Sequence, residues 1–112
     1  MKIENKVIEK DIWSVEVNGN TIKLENKFKT AKLFVNDELQ DIYLGVASFS
    51  NLRFTGKLPD GKEVKVIFGG DFNWHCYIFV DNELVLESWK EKNEKNNIWF
   101  ILWRRKEIRK RN

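Results

Sequence analysis

Short turn sequences between segments of alternating apolar and polar residues constrain the fold of this chain more than any other feature. Asn18-Gly19 separates residues 13–17 from residues 22–25, and apolar residues alternate with polar ones in both segments. Asn and Gly accept the positive φ angles of a type I′ turn, whose twist matches that of the flanking strands. The sequence therefore predicts a β-hairpin here.

Three further turns of related composition predict three further hairpins. The turn sequences are Asn36-Asp37, Pro59-Asp60-Gly61 and Asp81-Asn82. The segments that they join are 31–35 with 39–46, 52–58 with 64–68, and 72–80 with a return through Leu84 and Leu86. Asn, Asp and Gly tolerate left-handed backbone geometry, and Pro presets φ at the second position of a turn.

Four hairpins at short spacing predict an all-β fold, because no segment of helical length has a 3.6-residue period. We expect an antiparallel β-sandwich of seven to nine strands, with a small β-barrel as the alternative. A chain of 112 residues is long enough for one domain. Residues 1–103 are predicted to form it, and residues 104–112 a basic tail. The apolar run 98–103 favours a last buried strand, with a helix as the alternative.

The positive charge is concentrated in the tail. The chain has a net charge of +3, whereas residues 104–112 contain six basic residues and one Glu. These six are candidate contacts for a nucleic acid or an anionic membrane: Arg104, Arg105, Lys106, Arg109, Lys110 and Arg111. Basic and acidic residues are interspersed in the rest of the chain, so we do not expect nucleic acid or a membrane surface as the main partner.

Several classes of protein are excluded by what the sequence lacks. No apolar run approaches the roughly 18 residues of a membrane span, and the charged N-terminus does not resemble a signal peptide, so a cytoplasmic protein is expected. Cys76 and His75 are single, which argues against an internal disulfide, structural zinc or any other metal. No motif suggests a cofactor.

The sequence contains no motif that predicts catalysis. His75 and Cys76 are adjacent on a predicted strand and so point to opposite faces, which argues against a Cys-His dyad. No Ser lies in a G-x-S-x-G motif, and Gly69-Gly70-Asp71 lacks the remainder of a phosphate-binding loop. We predict that the protein is not an enzyme.

Aromatic residues are the strongest functional signal. Trp13 and Trp74 are in register with core positions, whereas Trp89, Trp99 and Trp103 are candidates for an exposed aromatic surface near the tail. The expected function is a non-enzymatic module that binds a protein partner or a second copy of itself. The alternatives are a carbohydrate or small-ligand module, and association with nucleic acid or anionic membrane through the tail. The small-ligand alternative has these candidate residues: Asp71, Asn73, Trp74, His75 and Tyr77.

Part of the chain resembles the Fas apoptotic inhibitory molecule family. The residues that carry the resemblance are Trp13-Ser-Val15, Asn18-Gly19, Ile22-Lys-Leu24-Glu25 and Thr30-Ala-Lys32-Leu-Phe-Val35-Asn36-Asp37-Glu38, with a later segment Tyr77-Ile-Phe-Val-Asp-Asn-Glu-Leu. The chain departs from the family pattern at Asn26-Lys27, where the family has His-Gly. The resemblance implies a non-enzymatic β-sandwich that works through protein contacts, and it supplies no catalytic residue.

Overall fold

A computed structural model describes residues 1–45, 51–70 and 74–89. Its strands in chain order are β1 (Ile3–Glu9), β2 (Ile12–Val17), β3 (Asn20–Lys27), β4 (Thr30–Val35), β5 (Glu38–Leu44), β6 (Leu52–Lys57), β7 (Glu63–Gly69), β8 (His75–Val80) and β9 (Glu83–Trp89). Strands β1–β5 form one antiparallel sheet and β6–β9 a second, and neighbours in each sheet are also neighbours in sequence. The two sheets do not close on each other, so the sandwich prediction is confirmed over its alternative, the barrel.

All four predicted hairpins are present. Asn18 and Gly19 have φ angles of 51° and 81°, as a type I′ turn requires. The turns at Asn36-Asp37 and Asp81-Asn82 also have two successive positive φ angles, and Gly61 has a φ of 92°. The local backbone preferences of these residues are sufficient to explain where the chain reverses.

Strand β1 was not predicted from the sequence. It lies at the edge of the five-stranded sheet, and all of its residues after Ile3 are exposed. Its pairing with β2 is irregular between Glu4 and Val7, where Asn5 has a φ of 48°. An exposed edge strand needs no alternation of apolar and polar residues, which removes the signal on which a sequence-based prediction depends.

The core lies between the two sheets and is built from their alternate inward residues. Trp13 is fully buried, as predicted, and its indole Nε1 donates a hydrogen bond to Ser88 Oγ at 3.0 Å. Its ring meets Phe68 edge to face, with 4.9 Å between the ring centroids. These contacts join β2 of one sheet to β7 and β9 of the other.

A second junction between the sheets lies where β5 approaches β6. Asp41 Oδ2 accepts a hydrogen bond from the backbone N–H of Thr55 at 2.9 Å, and Gln40 Oε1 accepts one from Lys57 N at 3.3 Å. Side chains of β5 thus satisfy donors on the edge of the second sheet that would otherwise invite pairing with another chain. Gly56 permits this approach, because a Cβ there would lie 3.0 Å from Gln40 Cβ.

A bulge in β9 changes the faces that strict alternation would assign. Ile78 pairs with Leu86 and Phe79 pairs with Leu84, so Val85 is the extra residue. Val85 and Leu86 are both buried, whereas Leu84 is 43% exposed. Alternation alone would have placed Leu84 and Leu86 on the same face. The predictions for residues 98–103, Trp99, Trp103 and the tail lie outside the described residues.

Candidate functional site

The outer face of the four-stranded sheet contains the described side chains best placed for binding. In β8 the residues Cys76, Ile78 and Val80 point into the core. The alternate residues of the same strand therefore point outward. Paired positions continue this face in two rows across the sheet, Arg53–Ile67–Tyr77–Glu87 and Thr55–Lys65–Phe79–Leu84.

A shallow concavity of about 400 Å³ lies on this face. Ile67 and Phe79 are half-buried and contribute apolar surface, whereas the side chains of Arg53 and Lys65 are exposed around it. Lys65 Nζ lies 3.6 Å from Glu63 Oε1 and 3.4 Å from Asn82 Oδ1. We call the part of the outer face formed by Arg53, Ile67, Lys65 and Phe79 the β6–β8 face. It combines an apolar centre with two cations.

His75 and Tyr77 lie beside the β6–β8 face on the same side of the sheet. Their ring centroids are 5.7 Å apart, and the rings are tilted by 43°. His75 Nε2 lies 2.8 Å from Asn51 Oδ1, a hydrogen-bond distance. Partial burial disfavours the imidazolium and lowers the pKa of His75 below its ordinary value of 6.5. The imidazole is therefore neutral at pH 7, and Asn51 accepts the hydrogen bond from its Nε2–H.

Trp74 does not share this face. Its indole is partly buried against the core and stacks on Phe68, with 5.3 Å between ring centroids and 11° between planes. One face of the indole is thus occupied by protein. Of the five residues predicted for a small ligand, the structure brings His75 and Tyr77 together and turns Trp74 toward the core. Asp71 and Asn73 lie outside the described residues.

Cys76 is fully buried on the inner face of β8, opposite to His75. Burial also raises the pKa of its thiol. The geometry confirms that the two side chains form no dyad. A buried neutral thiol is a poor nucleophile, so Cys76 packs as a small apolar residue.

The described ranges contain no group of three or more His, Cys, Asp or Glu side chains that could hold a metal ion. Over the same ranges no helix has the length and apolarity that crossing a membrane requires. Comparisons of the chain with protein-family models, with curated proteins and with solved structures found no match.

Sequence reasoning missed Arg53, Lys65, Ile67 and Phe79 as a group. Each occupies an outward position of an alternating strand, so the signal for exposure was present in the sequence. Their proximity depends on the order of β6, β7 and β8 and on the register that pairs Ile67 with Tyr77 and Lys65 with Phe79. No short-range pattern encodes that order.

His75 is expected to make stability depend on pH below neutrality. Its pKa is lower in the folded than in the unfolded state, so the unfolded state binds the proton first. The free energy of unfolding should fall as the pH drops below about 6.5, the ordinary pKa of histidine, and through the folded pKa. Urea titrations of wild type and His75→Gln measure this. An equal slope in both proteins would contradict the prediction.

Proposed function

We propose that this protein is a non-enzymatic binding module that recognises a segment of a partner protein through the β6–β8 face. The observation that carries the proposal is the apolar concavity beside two cations. Ile67 and Phe79 offer a surface for an apolar side chain, and Arg53 and Lys65 offer charge to a carboxylate. A volume of about 400 Å³ is at the small end of ligand pockets and suits one or two side chains.

Charge favours a polypeptide with acidic residues. Lys65 already has a carboxylate nearby in Glu63, but both side chains are about half exposed and water screens the pair. An incoming Asp or Glu can therefore compete for Lys65 and contact Arg53, while a neighbouring aromatic or aliphatic side chain enters the concavity. The resemblance to the Fas apoptotic inhibitory molecule family favours the same class of function, since it implies a β-sandwich that works through protein contacts.

A selection from a phage-displayed library of random peptides tests this function. The wild-type protein should enrich peptides that combine Asp or Glu with an aromatic or large aliphatic residue. The affinity of a selected peptide should fall at least about tenfold for the variant Arg53→Glu with Lys65→Glu, because attraction becomes repulsion. Both side chains are exposed, so we expect the variant to fold.

Lys23→Glu is the control for a charge reversal elsewhere, because Lys23 lies on the outer face of the other sheet and the substitution reverses one charge where the test variant reverses two. It should bind the selected peptide as wild type does. If the Arg53/Lys65 variant binds the selected peptide as tightly as wild type does, the β6–β8 face is excluded as the peptide-binding site. Failure to enrich any peptide, together with binding on a glycan array, would favour the small-ligand alternative.

A further inference from the structure

Two of the most exposed large apolar side chains lie at one end of the five-stranded sheet. Phe28, in the turn between β3 and β4, is 80% exposed, and Leu44, at the end of β5, is 73% exposed. Exposed apolar side chains that stand singly are common on proteins, but adjacent ones at such exposure indicate an interaction site. Neither residue belongs to the β6–β8 face.

The pairing of β3, β4 and β5 brings Phe28 and Leu44 to the same corner. Thr30 is the Cα partner of both Lys27 and Leu44, and Gly45 N donates a hydrogen bond to Lys29 O at 2.8 Å. In the next row Lys32 is paired with Ile42, which is 41% exposed. Phe28, Ile42 and Leu44 thus lie among lysine side chains at this corner of the five-stranded sheet.

We define the Phe28 corner as Phe28, Leu44, Lys27, Lys29 and Lys32. Lys29 Nζ lies over the Phe28 ring at 5.3 Å from its centroid, within the roughly 6 Å of a cation–π contact. Lys27 is 69% exposed, and its Nζ lies 3.8 Å from Glu25 Oε1. Glu25 is only 19% exposed, so the charge that this corner presents to an approaching surface is mainly that of the lysines.

We propose that the Phe28 corner binds the surface of an anionic lipid bilayer. Apolar side chains that protrude into water can enter the boundary between headgroups and acyl chains, where their burial is favourable. The lysines beside them can then contact anionic headgroups, which attract basic side chains near the membrane surface. The Phe28 corner thus offers both kinds of contact, apolar side chains for the acyl boundary and cations for the headgroups.

Other occupants fit these observations less well. If two copies of this chain met through the Phe28 corner, the lysines of one copy would lie close to the same lysines of the other. These like charges would repel. A peptide partner is expected to fill a concave site, whereas Phe28 and Leu44 project outward at high exposure. A membrane surface needs no concavity, so it is the occupant that the geometry favours.

Flotation of the full-length protein with lipid vesicles tests this proposal. Vesicles of phosphatidylcholine with about 30% phosphatidylserine should carry the protein upward, and vesicles of phosphatidylcholine alone should carry much less, because the lysines need anionic lipid. The variant Phe28→Ser with Leu44→Ser should reduce the partition coefficient at least about tenfold, since it removes the two apolar side chains that enter the bilayer. Both positions are exposed, so the variant should keep its stability.

Leu84→Ser is the matched control, because Leu84 is also an exposed leucine but lies on the other sheet. It should partition as wild type does. Equal flotation of the Phe28/Leu44 variant would overturn the proposal, and so would failure of the wild type to float. Sedimentation equilibrium tests a third outcome. If the wild type is a dimer and the Phe28/Leu44 variant is a monomer, the corner binds a second copy and the membrane proposal is overturned. The Arg53/Lys65 variant keeps the Phe28 corner but changes the net charge from +3 to −1. It should float less than wild type yet more than the same variant with Phe28→Ser and Leu44→Ser added, which separates this proposal from the proposed function.

Discussion

Replacing Trp13 with alanine is expected to lower the free energy of unfolding by about 3 to 5 kcal/mol, the usual range for truncating a buried aromatic residue. Trp13 is fully buried, meets Phe68 edge to face and donates its indole N–H to Ser88 on the opposite sheet. Its removal leaves a cavity between the sheets and an unpaired hydroxyl beside it. Urea denaturation followed by far-ultraviolet circular dichroism measures the change.

Two milder variants keep the prediction testable if Trp13→Ala does not fold. Trp13→Phe keeps an aromatic ring but loses the donor, so its cost should be smaller. Ser88→Ala leaves the buried indole N–H without its acceptor and should cost about 1 to 3 kcal/mol. Phe28→Ala is the control for an exposed aromatic residue and should stay within about 0.5 kcal/mol of wild type. A loss below about 1 kcal/mol for Trp13→Ala would contradict the contacts described between the sheets.

The thiol of Cys76 is expected to react with an aromatic disulfide reagent at least about a thousandfold more slowly in the folded protein than in urea at pH 8. Burial raises the pKa of Cys76, and the side chain is inaccessible to the reagent. Reaction must then proceed through opening of the sandwich. The increase in absorbance when the reagent is cleaved gives both rates.

A chain with Cys76→Ala and Thr55→Cys provides the matched control, since Thr55 is exposed on the outer face of the same sheet. Its thiol should react at nearly the same rate with and without urea. Fast reaction of native Cys76 would show that the inner face of β8 is open. The raised pKa also means that the unfolded thiol ionises first, so stability should decline above about pH 8.5 in wild type but not through this group in Cys76→Ala.

The hairpins were predictable because their determinants are local. Asn18-Gly19 and Asp81-Asn82 occupy backbone conformations that few other residues adopt, and the alternation beside them assigns faces to the strands. Burial of Trp13 and Cys76 and the outward orientation of His75 and Tyr77 follow from the same alternation. The prediction was less complete at β1, whose exposed edge position leaves no alternating pattern, and at β9, where the bulge at Val85 interrupts it.

The candidate sites depend on positions that are distant in sequence. Arg53, Lys65 and Phe79 come from three strands, and the register of the second sheet brings them to one face. Phe28 and Leu44 are separated by β4, a turn and nearly all of β5. They lie at the same corner because β4 pairs with β3 on one side and β5 on the other. Each of these residues has an ordinary sequence environment, so none stood out before the sheets were assembled.

By itself, the sequence determined where the four predicted hairpins turn, which residues of most strands face the core, and that the fold is antiparallel and all-β, with a sandwich expected and a barrel left as the alternative. Those properties depend on backbone preferences and a two-residue period, which act over short distances along the chain. Only the tertiary structure decided how the hairpins pair with one another, how Asp41 and Gln40 satisfy the edge of β6, and which exposed side chains form the β6–β8 face and the Phe28 corner. Those features depend on strand order and register, which the packing of the whole core selects.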